Sequence, residues 1–123
     1  MNFNSILIGS EDPKRLADFY SKLLGKPTME EGGYTGWQVG TGWVTVGPHD
    51  EVNGKNSQPG RLIWNIESAD IHGDFERFKA AGAAVVRELY DPGMGEQGQQ
   101  GLIATFSDPD DNYFQLMSPM GPM

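Results

Sequence analysis

The sequence predicts an α+β fold: two βαβββ modules side by side, forming a curved mixed sheet with a central cleft. Three observations carry this. The order strand, helix, three strands can be read twice along the chain. Each helix opens on an aspartate and closes on a glycine, over 13 residues from Asp12 to Gly25 and 12 from Asp70 to Gly82. Between the halves lies "HDEVNGKNSQPG", residues 49–60, polar and rich in turn formers. The expected layout is one domain, 1–123, with a first module at 1–48, a linker at 49–60 and a second module at 61–123.

The elements follow in order. "FNSILIG", residues 3–9, alternates and is rich in β-branched residues, so it reads as a strand. Ser10, Glu11 and Asp12 offer N-capping side chains, and Pro13 suits a first helical turn. Leu16, Phe19, Tyr20 and Leu23 then recur at the three- and four-residue spacing of an amphipathic helix. Gly25 can take the positive φ that ends a helix, and Pro27 prevents its continuation. Short strands are expected at 28–31, 35–40 and 42–47. In the second half, "RLIWNIE", residues 61–67, reads as a strand. Ile71, Phe75, Phe78 and Ala81 make a helical stripe that ends at Gly82. "AVVRELY", "GLIATFS" and "NYFQLMS" complete the set as strands. A helix on one face of each sheet leaves the other face available to line a cleft.

Composition narrows the function classes. The 123 residues are 37% hydrophobic and 21% charged, as a globular chain is. With no cysteine there is no disulfide framework, thiolate metal site or cysteine nucleophile. The net charge is −8, from 9 basic and 17 acidic residues, and the basic ones are scattered, so nucleic acid is not an expected partner. No apolar run approaches the ~18 residues of a membrane span, and the first residues lack the pattern of a signal peptide. A soluble, cytoplasmic protein without membrane contact is the expectation.

Strand alternation then separates two faces. Ile6 and Ile8 oppose Ser5, Leu7 and Gly9. Leu62, Trp64 and Ile66 oppose Arg61, Ile63 and Asn65. Phe114 and Leu116 oppose Tyr113, Gln115 and Met117. The first face of each is apolar and should pack under a helix. The second mixes polar and apolar groups, as a small-molecule site requires. The candidate ligand-binding residues are therefore Ser5, Arg61, Ile63, Asn65, Tyr113, Gln115 and Met117. Trp37 and Trp43 join them, because they flank a tight "VGTG" hairpin where partial exposure is expected. Arg61 is the sharpest of these: a guanidinium on a cleft face requires an internal carboxylate or an anionic ligand.

The paired modules, "DPKRLADFYSKLLG" in the first and "FSDPDDNYFQLMSP" closing the second, resemble the vicinal oxygen chelate superfamily across residues 3–119. That superfamily includes glyoxalase I, extradiol dioxygenases, and fosfomycin- and bleomycin-resistance proteins. The resemblance implies a divalent metal held by His and Glu at four equivalent strand positions, and a homodimer. Carried over, the positions fall on Ser5, on Arg61 or Ile63, near Thr45, and on Gln115. None offers a carboxylate or an imidazole, and Arg61 would repel a cation. No cofactor is expected, and no metal in particular. The implied function is binding of a small organic molecule, aromatic or anionic, in the manner of the bleomycin-resistance branch. The alternatives are a metal-dependent lyase or dioxygenase with non-standard ligands, and a non-catalytic regulatory domain.

Other motifs carry less. "DPDDN" begins like a calcium loop, but Tyr113 stands where the loop needs glycine and Pro119 where it needs glutamate. It reads as a turn in which Asp111 takes a left-handed φ. His49 and His72 lie off the sheets and read as solvated. The glycine-rich stretch 93–101 reads equally as a hairpin connection and as a lid.

Overall fold

A computed structural model describes residues 1–93 and 101–119. The expected lid at 93–101 therefore falls almost wholly outside the described residues. The chain divides into two compact units, Met1–Lys55 and Asn56–Met123.

The first unit contains β1 (Ser5–Ser10), α1 (Pro13–Leu24), β2 (Met29–Glu31), β3 (Tyr34–Val39) and β4 (Gly42–Pro48). Its strands form one mixed sheet in the order β1-β4-β3-β2, with β1 parallel to β4 and the other pairs antiparallel. Leu16, Phe19, Tyr20 and Leu23 of α1 are buried, as their spacing predicts. They pack on the sheet face that carries Ile8, Trp37, Val44 and Val46. Trp37 is 1% exposed and its Nε1–H donates to the carbonyl of Gly25 at 3.0 Å. The ring thus ties the sheet to the helix terminus, where Gly25 sits at φ 90°.

The second unit contains a 3-10 turn (Pro59–Arg61), β5 (Trp64–Glu67), α2 (Ile71–Ala80), β6 (Ala84–Tyr90), β7 (Ile103–Ser107) and β8 (Tyr113–Met117). Its sheet order, β5-β8-β7-β6, repeats that of the first unit, again with one parallel pair. Phe75 and Phe78 of α2 meet Phe106 at ring-centroid distances of 5.5 and 5.6 Å, and Phe106 stacks on Phe114 at 5.5 Å. Each of these fully buried rings contributes about 1.5–3 kcal/mol through removal from water, with aromatic pairing in addition.

One local device is used twice. Ser10 lies at the end of β1, and its Oγ accepts from the N–H of Asp12 at 3.0 Å; Asp12 in turn accepts from Arg15 N–H at 3.2 Å. After β5, Ser68 Oγ accepts from Asp70 N–H at 3.2 Å, and Asp70 accepts from Gly73 N–H at 3.3 Å. Both serines are buried, at 1% and 4% exposure. The Ser-x-Asp pair closes the turn out of the strand and satisfies a free N–H of the first helical turn. It also supplies a common origin for comparing the units residue by residue.

The connection from β7 to β8 confirms the expected turn. Asp108 is 3% exposed, and its Oδ1 accepts from the N–H groups of Asp110 and Asn112, each at 2.9 Å. Asp111 has φ 63°, the left-handed conformation expected of it. The segment after β4 is held at both ends: Gly54 N–H donates to the Glu11 carboxylate, and Asn56 N–H donates to the Asp110 carbonyl at 2.8 Å.

Two expectations are corrected. The strand expected at 61–67 begins only at Trp64. Pro59 lacks an N–H for a ladder, Arg61 N–H donates to Gln58 O at 3.1 Å, and Gln58 N–H donates to Asn56 Oδ1 at 2.9 Å. These local bonds bend the chain into a 3-10 turn in competition with the sheet. The expected exposure of Trp37 is likewise overturned. The hairpin register pairs Trp37 with Val44 and Gln38 with Trp43, so the two tryptophans lie on opposite faces.

Candidate functional site

The sheet faces away from α1 and α2 carry the candidate residues. In the first unit, one cross-strand row on that face reads Leu7, Thr45, Gly36, Met29 across β1, β4, β3 and β2. Glycine in this row and the next makes room for larger neighbours. A side chain at Gly47 would stand 2.1 Å from Cδ1 of Tyr34, so that ring lies flat against the Gly47 backbone. At Gly36, Met29 Cε, Thr45 Oγ1 and the Trp43 ring converge to 3.3–3.6 Å of where a Cβ would be. The result is a hollow of about 410 Å³ lined by Leu7, Met29, Glu31, Tyr34 and Thr45. That volume lies within the range of small-molecule sites. Leu7 and Tyr34 are 53% and 38% exposed, so the hollow presents apolar surface to solvent. A larger hollow of about 560 Å³ lies on the helix side of this sheet, where Lys14, Asp18 and Glu30 make its walls charged.

In the second unit the matching row reads Asn65, Gln115, Thr105, Arg87 across β5, β8, β7 and β6. Leu7 and Asn65 correspond, because each stands five residues before its capping aspartate. Gln115 Nε2–H donates to Thr105 Oγ1 at 2.9 Å, with Thr105 7% exposed. Among the described residues the Gln115 carbonyl oxygen has no donor, so it can accept from a ligand. The Arg87 guanidinium lies over the Tyr90 ring, 3.5 Å from its centroid.

The predicted site residues separate into three groups. Ser5, Trp43, Asn65, Tyr113, Gln115 and Met117 lie on strand faces turned away from the helices. Trp37 belongs to the core beneath α1. Arg61 and Ile63 precede β5, and the Arg61 Nε and Nη2 donate to Gln58 Oε1 at 3.1 and 2.6 Å. Met29, Glu31, Thr105 and Arg87 were missed. Thr105 alternates with Ile103 and Ser107 and was within reach of the period-two pattern. Arg87 was not, because β6 carries register irregularities between Val85 and Arg87 and between Arg87 and Tyr90, which shift its alternation.

The repeated caps also decide between Arg61 and Ile63 as the counterpart of Ser5. Ser5 stands seven residues before Asp12, and Ile63 seven before Asp70. Thr45 pairs with Leu7 just as Gln115 pairs with Asn65. The four corresponding positions thus hold Ser5, Thr45, Ile63 and Gln115: two hydroxyls, an alkyl group and a neutral amide. Such a set suits a divalent cation poorly. Among the described residues no three His, Cys, Asp or Glu side chains stand close enough together to hold one. Nor, among them, is any helix long and apolar enough to cross a membrane.

A fold of two βαβββ modules with this pairing has a defined family. The model of the glyoxalase-like domain matches residues 5–117. The chain belongs to that glyoxalase-like family, within the vicinal oxygen chelate superfamily. Solved structures agree on the fold. A glyoxalase-related enzyme from Fulvimarina pelagi is 20% identical, with 97% of this chain and 88% of that one covered and a TM-score of 0.73. A glyoxalase/bleomycin resistance protein/dioxygenase family enzyme from Burkholderia phytofirmans PsJN is 15% identical, with 98% and 100% covered and a TM-score of 0.74. The fosfomycin resistance protein FosX from Listeria monocytogenes is 15% identical, with 98% and 93% covered and a TM-score of 0.64. No curated protein matches the sequence.

Proposed function

We propose that this protein binds a small, flat organic molecule against the open face of its first sheet, without a family-type metal centre. The observation that carries this reading is the donor set at the four corresponding positions, Ser5, Thr45, Ile63 and Gln115. A resident divalent cation needs anionic or imidazole ligands, and these side chains provide none. The hollow lined by Leu7, Met29 and Tyr34 supports an aromatic or apolar ligand body. Arg61 gives no support to an anionic ligand, because it lies outside β5 with its guanidinium bonded to Gln58. The working assembly is a homodimer, as the family resemblance implies, and light scattering on the purified protein tests its stoichiometry.

The deciding experiment has two parts. Purified protein is loaded in turn with nickel, zinc, manganese and ferrous iron, dialysed, and analysed for metal. The same preparation is screened by thermal shift against flat aromatic compounds. Sub-stoichiometric metal throughout, with a saturable stabilisation by an aromatic compound, is the expected result. Near-stoichiometric metal that is lost in Gln115→Ala would sink the metal-free reading and restore the lyase or dioxygenase alternative.

A further inference from the structure

We infer that Arg87 anchors an acidic group, a carboxylate or a phosphate-type oxyanion, of a small molecule bound along the polar row of the second sheet. The inference goes beyond the reading above and concerns the open face of the second sheet alone. Three observations place the anchor. Arg87 is the register partner of Thr105, so it continues the row from Asn65 through Gln115. Its guanidinium carbon lies over the Tyr90 ring, 3.5 Å from the centroid, a cation–π contact that restrains the side chain. A restrained fork loses less freedom on binding than an unrestrained one. Among the described residues no carboxylate pairs with Arg87. Other basic groups behave differently. Lys14 and Arg77 meet aspartates, Arg61 meets Gln58, and Lys79 lies over Phe75 on the helix.

The chemistry follows from the donors. A planar guanidinium presents two parallel N–H groups to two oxygens of one acid group. The row beside it offers the Gln115 carbonyl and the Asn65 amide to neutral polar groups of the same molecule. Glu67 on this face pairs with Met117 on the far edge strand β5 and so stands three strands from β6.

Three naphthalene probes test this: 2-naphthoate, 2-naphthyl phosphate and the neutral isostere 2-naphthamide, each titrated calorimetrically into the full-length protein. The wild type should bind at least one acid about tenfold or more tighter than the amide, the scale of a charge-assisted bidentate contact. The larger of the two gains identifies the acid group. Arg87→Ala should remove the preference while leaving amide affinity unchanged, and Arg87→Lys should retain part of it. A thermal melt of each variant, expected within a degree or so of wild type for an exposed edge residue, separates lost anchoring from lost folding. Equal binding of all three probes by the wild type, or a preference that survives in Arg87→Ala, overturns the inference and leaves the binding reading standing. Binding of none of them overturns it also, and the metal loading and aromatic screen then decide the binding reading separately.

Discussion

The two sheets agree on one face and differ on the other. Beneath the helices the solutions are parallel: a Ser-x-Asp cap, a stripe of buried helical residues, and an aromatic on the third strand in sheet order, Trp37 in one unit and Phe106 in the other. On the faces turned away from the helices, Leu7, Thr45, Gly36 and Met29 stand where the second unit has Asn65, Gln115, Thr105 and Arg87. The helix-side faces are constrained by burial, since any polar atom there needs a partner. The opposite faces carry no such demand, so chemistry can diverge without loss of the fold. The open face of one sheet is largely apolar, and that of the other is a polar ladder with a cation at its end.

The largest expected effect would show the helix-side faces to be equivalent. Trp37→Ala and Phe106→Ala should each cost about 3–5 kcal/mol, as large-to-small changes at fully buried aromatics do. Urea denaturation of the two variants checks this. A cost below about 1 kcal/mol in either unit would break the parallel between them.

An intermediate effect sharpens a difference. The β3–β4 connection needs only Gly40 and Thr41, whereas β7–β8 is held by the Asp108 carboxylate. Asp108→Ala should cost about 2–3 kcal/mol, because it orphans two backbone N–H groups that a charged acceptor now satisfies. Amide hydrogen exchange should localise the loss to β7 and β8. Uniform exchange across both sheets would contradict that localisation.

The smallest effect on stability bears on the open face of the first sheet. Gly47→Ala introduces a Cβ where the Tyr34 ring lies, 2.1 Å from Cδ1. Tyr34 is 38% exposed and can swing outward, so the cost should be only about 1 kcal/mol. The hollow would lose a wall, and aromatic ligands from the screen should bind about tenfold more weakly. Unchanged affinity would move the seat away from Tyr34.

Much of this molecule could be read from the chain alone. Both helices, their aspartate caps and the left-handed Asp111 follow from local chemistry, because caps and turns are decided by residues within a few positions of one another. The placement of Ser5, Thr45 and Gln115 on the faces turned away from the helices was legible too, since alternation assigns a face once a strand is located. Tertiary structure decided the rest. Arg61 was expected in a strand and lies in a turn, because Pro59, Gln58 and Asn56 offer hydrogen bonds that compete with the sheet. Trp37 and Trp43 look alike around their hairpin, and only the pairing register sends one under α1 and the other to the open face. Arg87 sits past an irregularity in β6, where counting by twos fails. Register and bulges are set by hydrogen bonds between strands distant in sequence, and a linear pattern carries no record of which partner each strand will meet.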